Sequence, residues 1–373
     1  MGNALVLLKQ FFSLINTLLP AETIFVISCR QIHQTMKYLL LLFSVAFVMS
    51  CVNSNQKTQQ RETTGSVERL SPELDKMIPD NASIEILADG FVWSEGPLWL
   101  GNEQKLIFTD VPSNIAYEYS DEKGLEVYLN PSGLTSDDPN SGDSGANGLV
   151  LNEDGSLVLC QHGDRRVAKM MASTSRQEPK FETLADAYDG KRFNSPNDAV
   201  YDMHGNLYFT DPPYGLEGQD ADPRKELPFN GVYKLSPNGT VTLLIDDLTR
   251  PNGIALSPDN TKLYVANSDP KKCLWMVYDL ATNGTVSNGK VFFDATSMYN
   301  GENGLSDGMK VNKQGTIFAT GPGGVLVFSP KGKHLGTIKT GKATANCAFN
   351  DDETILYMTA HNNLMRIKLA SNE

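Results

Sequence analysis

Cysteine is scarce in this sequence, and the few cysteines are not arranged for metal binding or cross-linking. The five are Cys29, Cys51, Cys160, Cys273 and Cys347, and no two of them form a CxxC pair. Thiolate zinc sites need such short spacings, and disulfide frameworks need closely set pairs of cysteines. The pattern argues against both classes. A cysteine in an apolar segment, such as Cys160 in LVLC, is expected to be a small core residue.

Positive charge is also in short supply. The chain has 32 Lys and Arg residues against 44 Asp and Glu residues, which gives a net charge of −12. Proteins that bind nucleic acid rely on clustered Lys and Arg to neutralise phosphates. The charge balance therefore argues against nucleic acid as a partner. Apolar residues make up 40% of the chain, which suits a globular protein with a packed core.

The apolar run from Tyr38 to Met49 is too short for a transmembrane helix, which needs ~20 apolar residues. It follows one basic residue, Lys37, and ends at Cys51, so residues 36–51 have the charge order and length of a secretory signal. Its ending, VMSC, resembles the lipobox of bacterial lipoproteins, in which the cysteine is diacylated. Plain secretion with Cys51 unmodified is the alternative.

The segments on either side of this signal complete the expected targeting region. Residues 1–35 are interpreted as an upstream extension absent from the mature protein, and a short membrane-associated segment is the alternative. Residues 52–80 are polar and aperiodic, as in a tether between a membrane and a domain. We therefore expect an exported lipoprotein, held to the membrane through lipidated Cys51 on the periplasmic or cell-surface side.

A sequence repeat organises the rest of the chain. Six segments share a small polar triplet, an alternating strand, a turn and a second strand, as in PNDAVYDMHGNLYFTD and PNGIALSPDNTKLYVANSD. Each carries near its start one acidic or amide residue in a matching position, called the anchor residue here, and the six are Glu95, Asn147, Asn197, Asn252, Asp307 and Asn346. The spacings between them are 52, 50, 55, 55 and 39 residues. This period, built from short strands, predicts the four-stranded blades of a β-propeller.

The ends of the repeat indicate how the ring closes. The sixth unit stops after LMRIKLA and lacks an outermost strand, whereas Ser83 to Leu87 (SIEIL) matches the outermost strands of other units. Pairing the two would remove the exposed edge of an open array. The sequence therefore predicts an all-β, six-bladed propeller over residues 81–370, with its last blade closed by an N-terminal strand.

The anchor residues should meet at one end of the central channel, because each begins an innermost strand. All six carry oxygen donors of the kind that Ca²⁺ prefers, whereas zinc selects His and Cys. Without a cation, Glu95 and Asp307 would repel each other and the pKa of one would rise. The alternative is that Asn and Asp at these positions only form turns and caps.

Several of these segments resemble one family. SEGPLW, RFNSPNDAVYD, GNLYFTDPPYG, RPNGIALSPD, LYVANSD and LSDGMKV look like the senescence-marker-protein/gluconolactonase family of calcium-dependent six-bladed propellers. Regucalcin-like and luciferin-regenerating-enzyme-like proteins belong to this family, and its bacterial gluconolactonase branch is the most similar. The similarity extends from about Ile84 to Leu369.

The resemblance implies roles for individual residues. It assigns the metal to Glu95, Asn252 and Asp307. The residue matching Asn197 contacts substrate in the family's lactonases and metal in the related diisopropyl fluorophosphatase, so both roles stay open. Arg192 matches an arginine that holds substrate oxygens, although this chain has two extra residues before the anchor. Asn147 also belongs to the branch's pattern, and we include it among the candidate substrate contacts.

The second strand of each unit returns to the same face, so the loops that follow should line a pocket. His162 and His361 are the histidines in such loops, and each is a candidate for substrate contact or proton transfer. A structural role is the alternative for both. Two insertions, residues 130–145 and 216–229, join strands at this face and could act as lids or as mobile surface loops.

These residues predict a metal-dependent hydrolase that opens the lactone of a sugar acid. No GxSxG elbow is apparent, which disfavours covalent serine catalysis. A divalent cation, Ca²⁺ with Mg²⁺, Mn²⁺ or Zn²⁺ as alternatives, would polarise the carbonyl while Asp307 aids attack by water. The alternatives are a phosphotriester or fluorophosphate hydrolase at the same site and a non-enzymatic propeller that binds a ligand.

Overall fold

The computed structural model describes residues 61–136 and 143–371, and these form a six-bladed β-propeller. Each blade is an antiparallel sheet built from strands that follow one another along the chain. The innermost strand of each blade contacts the innermost strand of the next, and that of the sixth blade contacts that of the first. The ring is therefore closed, which confirms the fold predicted from the repeat.

The chain begins with three strands that join later blades, β1 (Thr63–Thr64), β2 (Ser66–Arg69) and β3 (Ile84–Asp89). Blade 1 consists of β4 (Ser94–Leu100), β5 (Lys105–Asp110), β6 (Ile115–Ser120) and β7 (Gly124–Leu129). Blade 2 consists of β8 (Ala146–Leu151), β9 (Leu157–Gln161), β10 (Arg166–Met170) and β11 (Phe181–Ala185). A small hairpin follows, formed by β12 (Ala187–Tyr188) and β13 (Lys191–Arg192). Blade 3 consists of β14 (Ala199–Tyr201), β15 (Leu207–Asp211), β16 (Gly231–Leu235) and β17 (Val241–Ile245).

The second half of the ring has the same plan. Blade 4 consists of β18 (Pro251–Leu256), β19 (Lys262–Asp269), β20 (Lys272–Leu280) and β21 (Val286–Asp294). Blade 5 consists of β22 (Met309–Val311), β23 (Ile317–Gly321), β24 (Gly324–Phe328) and β25 (His334–Lys339). Blade 6 begins with β26 (Asn346–Phe349), β27 (Ile355–Ala360) and β28 (Asn363–Lys368). The helical segments are single 3₁₀ turns at Leu74–Lys76, Gly101–Glu103, Thr174–Arg176, Gln219–Ala221 and Thr296–Met298.

Blade 6 is completed by β3, which pairs antiparallel with β28. Ile84 lies opposite Ile367 and Asp89 lies opposite Asn363. A strand that precedes the first blade therefore supplies the fourth strand of the last blade, as the sequence predicted. Because β28 is paired on both sides, the final blade presents no open edge there.

The segment from Arg61 to Asp80, called the strap here, is folded, unlike the polar tether predicted over residues 52–80, whose residues 52–60 lie outside the described part of the chain. Its β1 pairs with β3 in blade 6, and its β2 pairs with β25 in blade 5, so both blades have five strands. Leu74 and Ile78 are fully buried in the core cluster that blades 5 and 6 share. The strap is therefore part of the propeller, and its polar composition reflects its position on the outside of two sheets.

Apolar side chains from facing blades pack together to form the core. Val158 and Cys160 of blade 2 cluster with Leu207 and Phe209 of blade 3, and all four are buried. Burying each such side chain contributes ~1.5–3 kcal/mol. The cysteines that the structure describes, Cys160, Cys273 and Cys347, are buried free thiols, so Cys160 is the small core residue that the sequence predicted.

Most of the predicted targeting region lies outside the described residues. This applies to the upstream extension, to the signal and to lipidation at Cys51, all of which stay predictions. Within residues 61–136 and 143–371, no helix is long and apolar enough to cross a membrane.

Candidate active site

A pocket of about 780 Å³ opens on the face of the propeller where the innermost strands begin. Five of the six anchor residues line it, namely Glu95, Asn147, Asn197, Asn252 and Asp307. The sixth, Asn346, is only 2% exposed and lies against Gly308, next to Asp307. The predicted convergence of the anchor residues is therefore present in the fold. Sequence spacing could show it because every blade presents the same strand position to the channel.

Irregular strand pairing exposes the anchor side chains to the pocket. The pairing of β4 with β5 shifts register between Glu95 and Leu98, and that of β18 with β19 shifts between Pro251 and Ile254. β8 has a similar shift just after Ala146. Such bulges redirect a side chain without breaking the sheet. They let an anchor residue turn into the pocket while the remainder of its strand keeps the regular alternation.

Close backbone contacts between neighbouring blades hold the anchor residues near one another. A β-carbon added to Gly148, which follows Asn147, would lie 2.6 Å from the carbonyl oxygen of Asn197. A β-carbon added to Gly253, which follows Asn252, would lie 2.2 Å from the carbonyl oxygen of Asp307. Only glycine leaves room for these approaches. Each glycine therefore lets the next blade bring its own anchor residue up to the same pocket.

Burial and mutual repulsion raise the pKa values of the two anchor carboxyls. Burial raises the pKa of Glu95 to about 7, and the nearby Asp198 charge adds to this effect. The pKa of Asp307 lies well above its usual range, because of burial and then because of Glu95 and Asp198. The sequence predicted that at least one of these pKa values would rise, and the structure confirms it. Nearby positive charge would reverse the effect on both groups.

Several oxygen atoms at the site accept no hydrogen bond from the protein. They are Oδ1 of Asn147, Oδ1 of Asn197, Oδ1 of Asp307 and Oδ2 of Asp198. Buried acceptors are usually satisfied, so a cluster of unpaired oxygens calls for a partner. A hard cation, which takes carboxylate and amide oxygens, fits this set of donors.

Carboxylates and imidazoles alone would not bind such a cation. Among the residues that the structure describes, no three His, Cys, Asp or Glu side chains form a group that could hold a metal. A metal in this pocket would therefore depend on amide oxygens. The predicted set, with Asn252 beside Glu95 and Asp307, has that composition. Asn252 also interacts with Asp307 through a side-chain hydrogen bond that lowers the pKa of that carboxyl.

Both predicted histidines line the pocket, in contrasting surroundings. His162 is fully buried, and burial lowers its pKa to about 3, so its ring is neutral at physiological pH. Its Nε2 lies 3.4 Å from the side-chain nitrogen of Asn197, and its Nδ1 has no hydrogen-bond partner. His361 is exposed and packs edge-on against Trp93, with 5.5 Å between the ring centroids.

Arg192 does not reach the pocket. It lies exposed in the small hairpin, where its guanidinium donates a hydrogen bond of 2.9 Å to the carbonyl of Asp164. Of the two extra residues that follow, Ser195 is buried, and Asp211 and Pro212 hold its backbone and hydroxyl. The inserted residues are therefore packed against the end of β15 and Arg192 stays outside the pocket, so the structure does not bring Arg192 together with the other candidate substrate contacts.

Arg250 is the arginine that lines the pocket, and sequence reasoning missed it. It precedes the anchor strand β18 and pairs with Asp220, and its guanidinium also donates to the side chain of Gln219. Asp220 and Gln219 belong to the insertion over residues 216–229. This insertion therefore forms part of the pocket wall on the blade 3 side, and Gln219 itself lines the pocket.

Two acidic residues at the ends of second strands hold the backbone in place. Asp110 accepts hydrogen bonds from the backbone N–H groups of Val92 and Trp93. Asp211 accepts them from Asn194 and Ser195. Neither carboxylate lines the pocket, so they fix the loops that position other residues. From the first insertion, residues 130–145, Asp143 reaches the pocket, and residues 137–142 lie outside the described part of the chain.

Comparison with known proteins gives a consistent result. Residues 93–362 match the family model described as the SMP-30/Gluconolactonase/LRE-like region. A gluconolactonase of Zymomonas mobilis is 37% identical over 331 residues, covering 87% of this chain and 92% of the relative. A pentonolactonase of Haloferax volcanii is 26% identical over 270 residues, covering 71% of this chain and 80% of the relative.

Solved structures agree with the fold. A gluconolactonase from Xanthomonas campestris superposes with a TM-score of 0.70 at 27% identity, covering 83% of this chain and 96% of that one. Regucalcin from Agrobacterium tumefaciens, a calcium-binding protein, superposes with a TM-score of 0.59 at 20% identity, covering 77% and 94%. The second likeness supports the fold alone. By its family match and its similarity to the Zymomonas enzyme, the chain belongs to the SMP-30/gluconolactonase/LRE-like family.

Proposed function

We propose that this protein is a lactonase that hydrolyses the lactone of a sugar acid with the help of one divalent cation, Ca²⁺. The observation that carries the proposal is the cluster of buried, unpaired oxygens where five anchor residues meet. The similarity to a gluconolactonase across 87% of the chain supports lactones as the substrate class.

Glu95, Asn252 and Asp307 would hold the cation. Glu95 and Asn252 are 2% and 5% exposed, so they are already removed from competing bulk water. Two carboxylates offset the charge of a divalent ion, and amide and carboxylate oxygens suit Ca²⁺ better than softer metals. When bound, the cation would supply the positive charge that stabilises a developing negative charge on the carbonyl oxygen of the substrate.

Asp307 is also suited to accept a proton, because it is partly exposed whereas Glu95, the other anchor carboxylate, is buried. Its Oδ1 accepts no hydrogen bond from the protein, so it is free to take a proton from an attacking water. The backbone contact between Gly253 and the Asp307 carbonyl fixes the residue against blade 4. Asp307 can therefore orient a water molecule while its side chain also interacts with Asn252.

Asn197, Asn147 and His162 are suited to hold substrate hydroxyls. The amide oxygens of the two asparagines are unpaired acceptors, and Nδ1 of His162 also has no partner. Because the ring of His162 is neutral, its Nδ1 can donate or accept a hydrogen bond according to the tautomer. Asn197 lines the same pocket as the three expected cation ligands, so it could contact either the cation or the substrate. Polar side chains in this arrangement would distinguish a polyhydroxylated lactone from an apolar ester.

The test is lactone hydrolysis by the purified protein before and after chelation, with Ca²⁺, Mg²⁺, Mn²⁺ and Zn²⁺ restored in turn. We expect chelation to abolish hydrolysis of gluconolactone and Ca²⁺ to restore it. Full activity after complete removal of metal would contradict the metal role. A parallel assay with a phosphotriester decides between the two kinds of hydrolase, since faster turnover of that substrate would contradict the lactonase proposal.

The variant Asp307→Asn tests the catalytic role. It keeps the size of the side chain but removes the carboxylate that accepts a proton and binds the cation. We expect loss of lactone hydrolysis by at least about 100-fold, which is the usual size of a lost acid–base contribution. Circular dichroism should show an unchanged fold. If Asp307→Asn hydrolysed the lactone as fast as the wild type, the role assigned to Asp307 would be wrong.

A further inference from the structure

Beneath the pocket lies a group of polar residues that the sequence analysis did not connect, called the floor cluster here. Its members are Glu95, Asp198, Asp307, Lys310 and Asn346. They come from blades 1, 3, 5 and 6, and the carboxyls of Glu95 and Asp198 belong to residues only 2% and 3% exposed. Three carboxyls in so buried a place need positive charge nearby, because burying unpaired charge is costly.

Lys310 is the amino group of this cluster. It lies on β22, three residues after Asp307, and its Nζ is 3.4 Å from Oδ1 of Asn346 and 3.2 Å from the carbonyl of Met309. It makes no ion pair within 4 Å, unlike many lysines in the described structure. Burial raises the pKa values of both Glu95 and Asp198, and the positive charge of Lys310 offsets part of that rise.

The side chain of Asn346 links the lysine and the carboxyls of the floor cluster. Its side chain packs against Gly308, where a β-carbon would lie 2.0 Å from it, so its position is fixed. Its side chain offsets part of the rise in the pKa values of Glu95 and Asp198 that burial causes. Its Oδ1 accepts a hydrogen bond from the backbone of Cys347 and lies 3.4 Å from Nζ of Lys310. An amide can do this because it offers donors to the carboxylates and an acceptor to the ammonium group.

One histidine and two cysteines near the cluster add no charge to it. The pKa of His162 is lowered to about 3, and burial raises the pKa values of the Cys160 and Cys347 thiols. When Glu95, Asp198 and Asp307 are ionised, they contribute three negative charges, and Lys310 contributes one positive charge. The net charge of the ionised floor cluster is therefore −2, which equals and opposes the charge of one divalent cation.

We propose that Lys310 and Asp198 set the charge of the floor cluster so that the pocket prefers a divalent cation over a trivalent one. This inference rests on the metal site of the proposed function, because Glu95 and Asp307 are its expected ligands. Lys310 and Asp198 act here through their charges, and neither is one of the three expected ligands. Removing the lysine leaves a net charge of −3, whereas removing the Asp198 charge leaves −1.

The experiment measures Ca²⁺ and Tb³⁺ binding to chelator-treated protein by titration calorimetry. Tb³⁺ resembles Ca²⁺ in size but carries one more charge. Lys310→Met should raise the ratio of Tb³⁺ to Ca²⁺ affinity by about tenfold or more, and Asp198→Asn should lower it by a similar factor, because charges act strongly in a buried site. The double variant restores a net charge of −2, so its ratio should return to the wild-type value.

Lys290→Met is the matched control, because Lys290 is an exposed lysine on β21 at the outside of blade 4. Its affinity ratio should equal that of the wild type. Thermal unfolding of every variant checks the fold, and Lys310→Gln provides a second neutral replacement if Lys310→Met does not fold. An unchanged ratio in both Lys310 variants, or a double variant that fails to return to the wild-type ratio, would overturn the inference.

Lactone hydrolysis by the same preparations separates this inference from the proposed function. If the affinity ratios shift as described but the wild type opens no lactone, the charge assignment stands and the lactonase proposal fails. If the wild type hydrolyses lactones and neither ion binds to the chelator-treated protein, the charge assignment fails while a metal-independent lactonase remains.

Discussion

The contact between Gly253 and Asp307 allows a sharp test of how the fold positions the active site. In Gly253→Ala, the new β-carbon would start 2.2 Å from the carbonyl oxygen of Asp307, whereas ordinary contact begins at 3.4 Å. The Asp307 backbone therefore has to move by about 1.2 Å, since the opposing atom is main chain and not a flexible side-chain end. A misplacement of ~1 Å at a reacting group costs about 100-fold in rate, or ~2.7 kcal/mol of transition-state stabilisation.

The assay is the kcat/KM for gluconolactone, together with Ca²⁺ affinity and thermal unfolding. Gly253→Ala should lower kcat/KM by about 100-fold and weaken Ca²⁺ binding. Gly289→Ala is the control within the same blade, because its β-carbon would lie 2.4 Å from the ring of Tyr278, far out on β21. That variant should lose stability without losing catalysis or metal affinity.

A Gly253→Ala protein with wild-type kcat/KM and wild-type Ca²⁺ affinity would refute this reasoning. So would equal losses of activity in Gly253→Ala and Gly289→Ala, because the effect would then come from general destabilisation of blade 4. The informative result is a difference between two variants that suffer similar steric conflicts in one sheet.

Two further predictions concern the strap and the anchor carboxyls. Leu74→Ala should lower the free energy of unfolding by about 2–5 kcal/mol in denaturant titrations, because Leu74 is fully buried between blades 5 and 6. Leu70→Ala, at a strap position that is 55% exposed, should change it by less than about 0.5 kcal/mol, and equal effects would show that the strap does not dock. In chelator-treated protein, the raised pKa of Glu95 adds stability below its unfolded pKa of 4.5, and this is lost as pH rises through about 7. Melting temperatures should therefore fall over that range, less steeply in Glu95→Gln, and identical slopes would exclude Glu95 as the cause.

The repeat made the propeller predictable from the sequence. Each unit specifies a local hairpin, so six similar units predict six blades without knowledge of long-range contacts. Turn residues with positive φ, such as Gly155 and Asn260, occur between the first and second strands where the sequence indicated hairpins. The same regularity placed five anchor residues around the pocket, because an equivalent position in every blade occupies an equivalent place in the ring.

Features that depend on a single contact were harder to predict. The strap has a two-residue strand and a polar sequence, so only the apolar pair Leu74 and Ile78 signals that it folds. No sequence pattern indicated that Arg250 would line the pocket. It lies outside the repeated triplet, and its placement depends on contacts with an insertion in another blade. Asp198 directly follows Asn197, and the regular strand β14 begins only at Ala199, so alternation could not show which of the two side chains faces the channel.

The strap pairs with strands of both blade 5 and blade 6, and this affects the order of folding during synthesis. The segment from Arg61 to Asp89 is synthesised before any of the six blades, yet β2 pairs with β25 and β3 pairs with β28, near the other end of the chain. Apart from the pairing of β1 with β3, these strands have to wait until almost the entire domain has been made, which exposes edges that could pair with other chains. The last of the five anchor residues that line the pocket is Asp307 at the start of blade 5, but the ring closes only when blade 6 is complete. A nascent chain that stops before β25 would thus contain these five residues without the closed ring that holds them together.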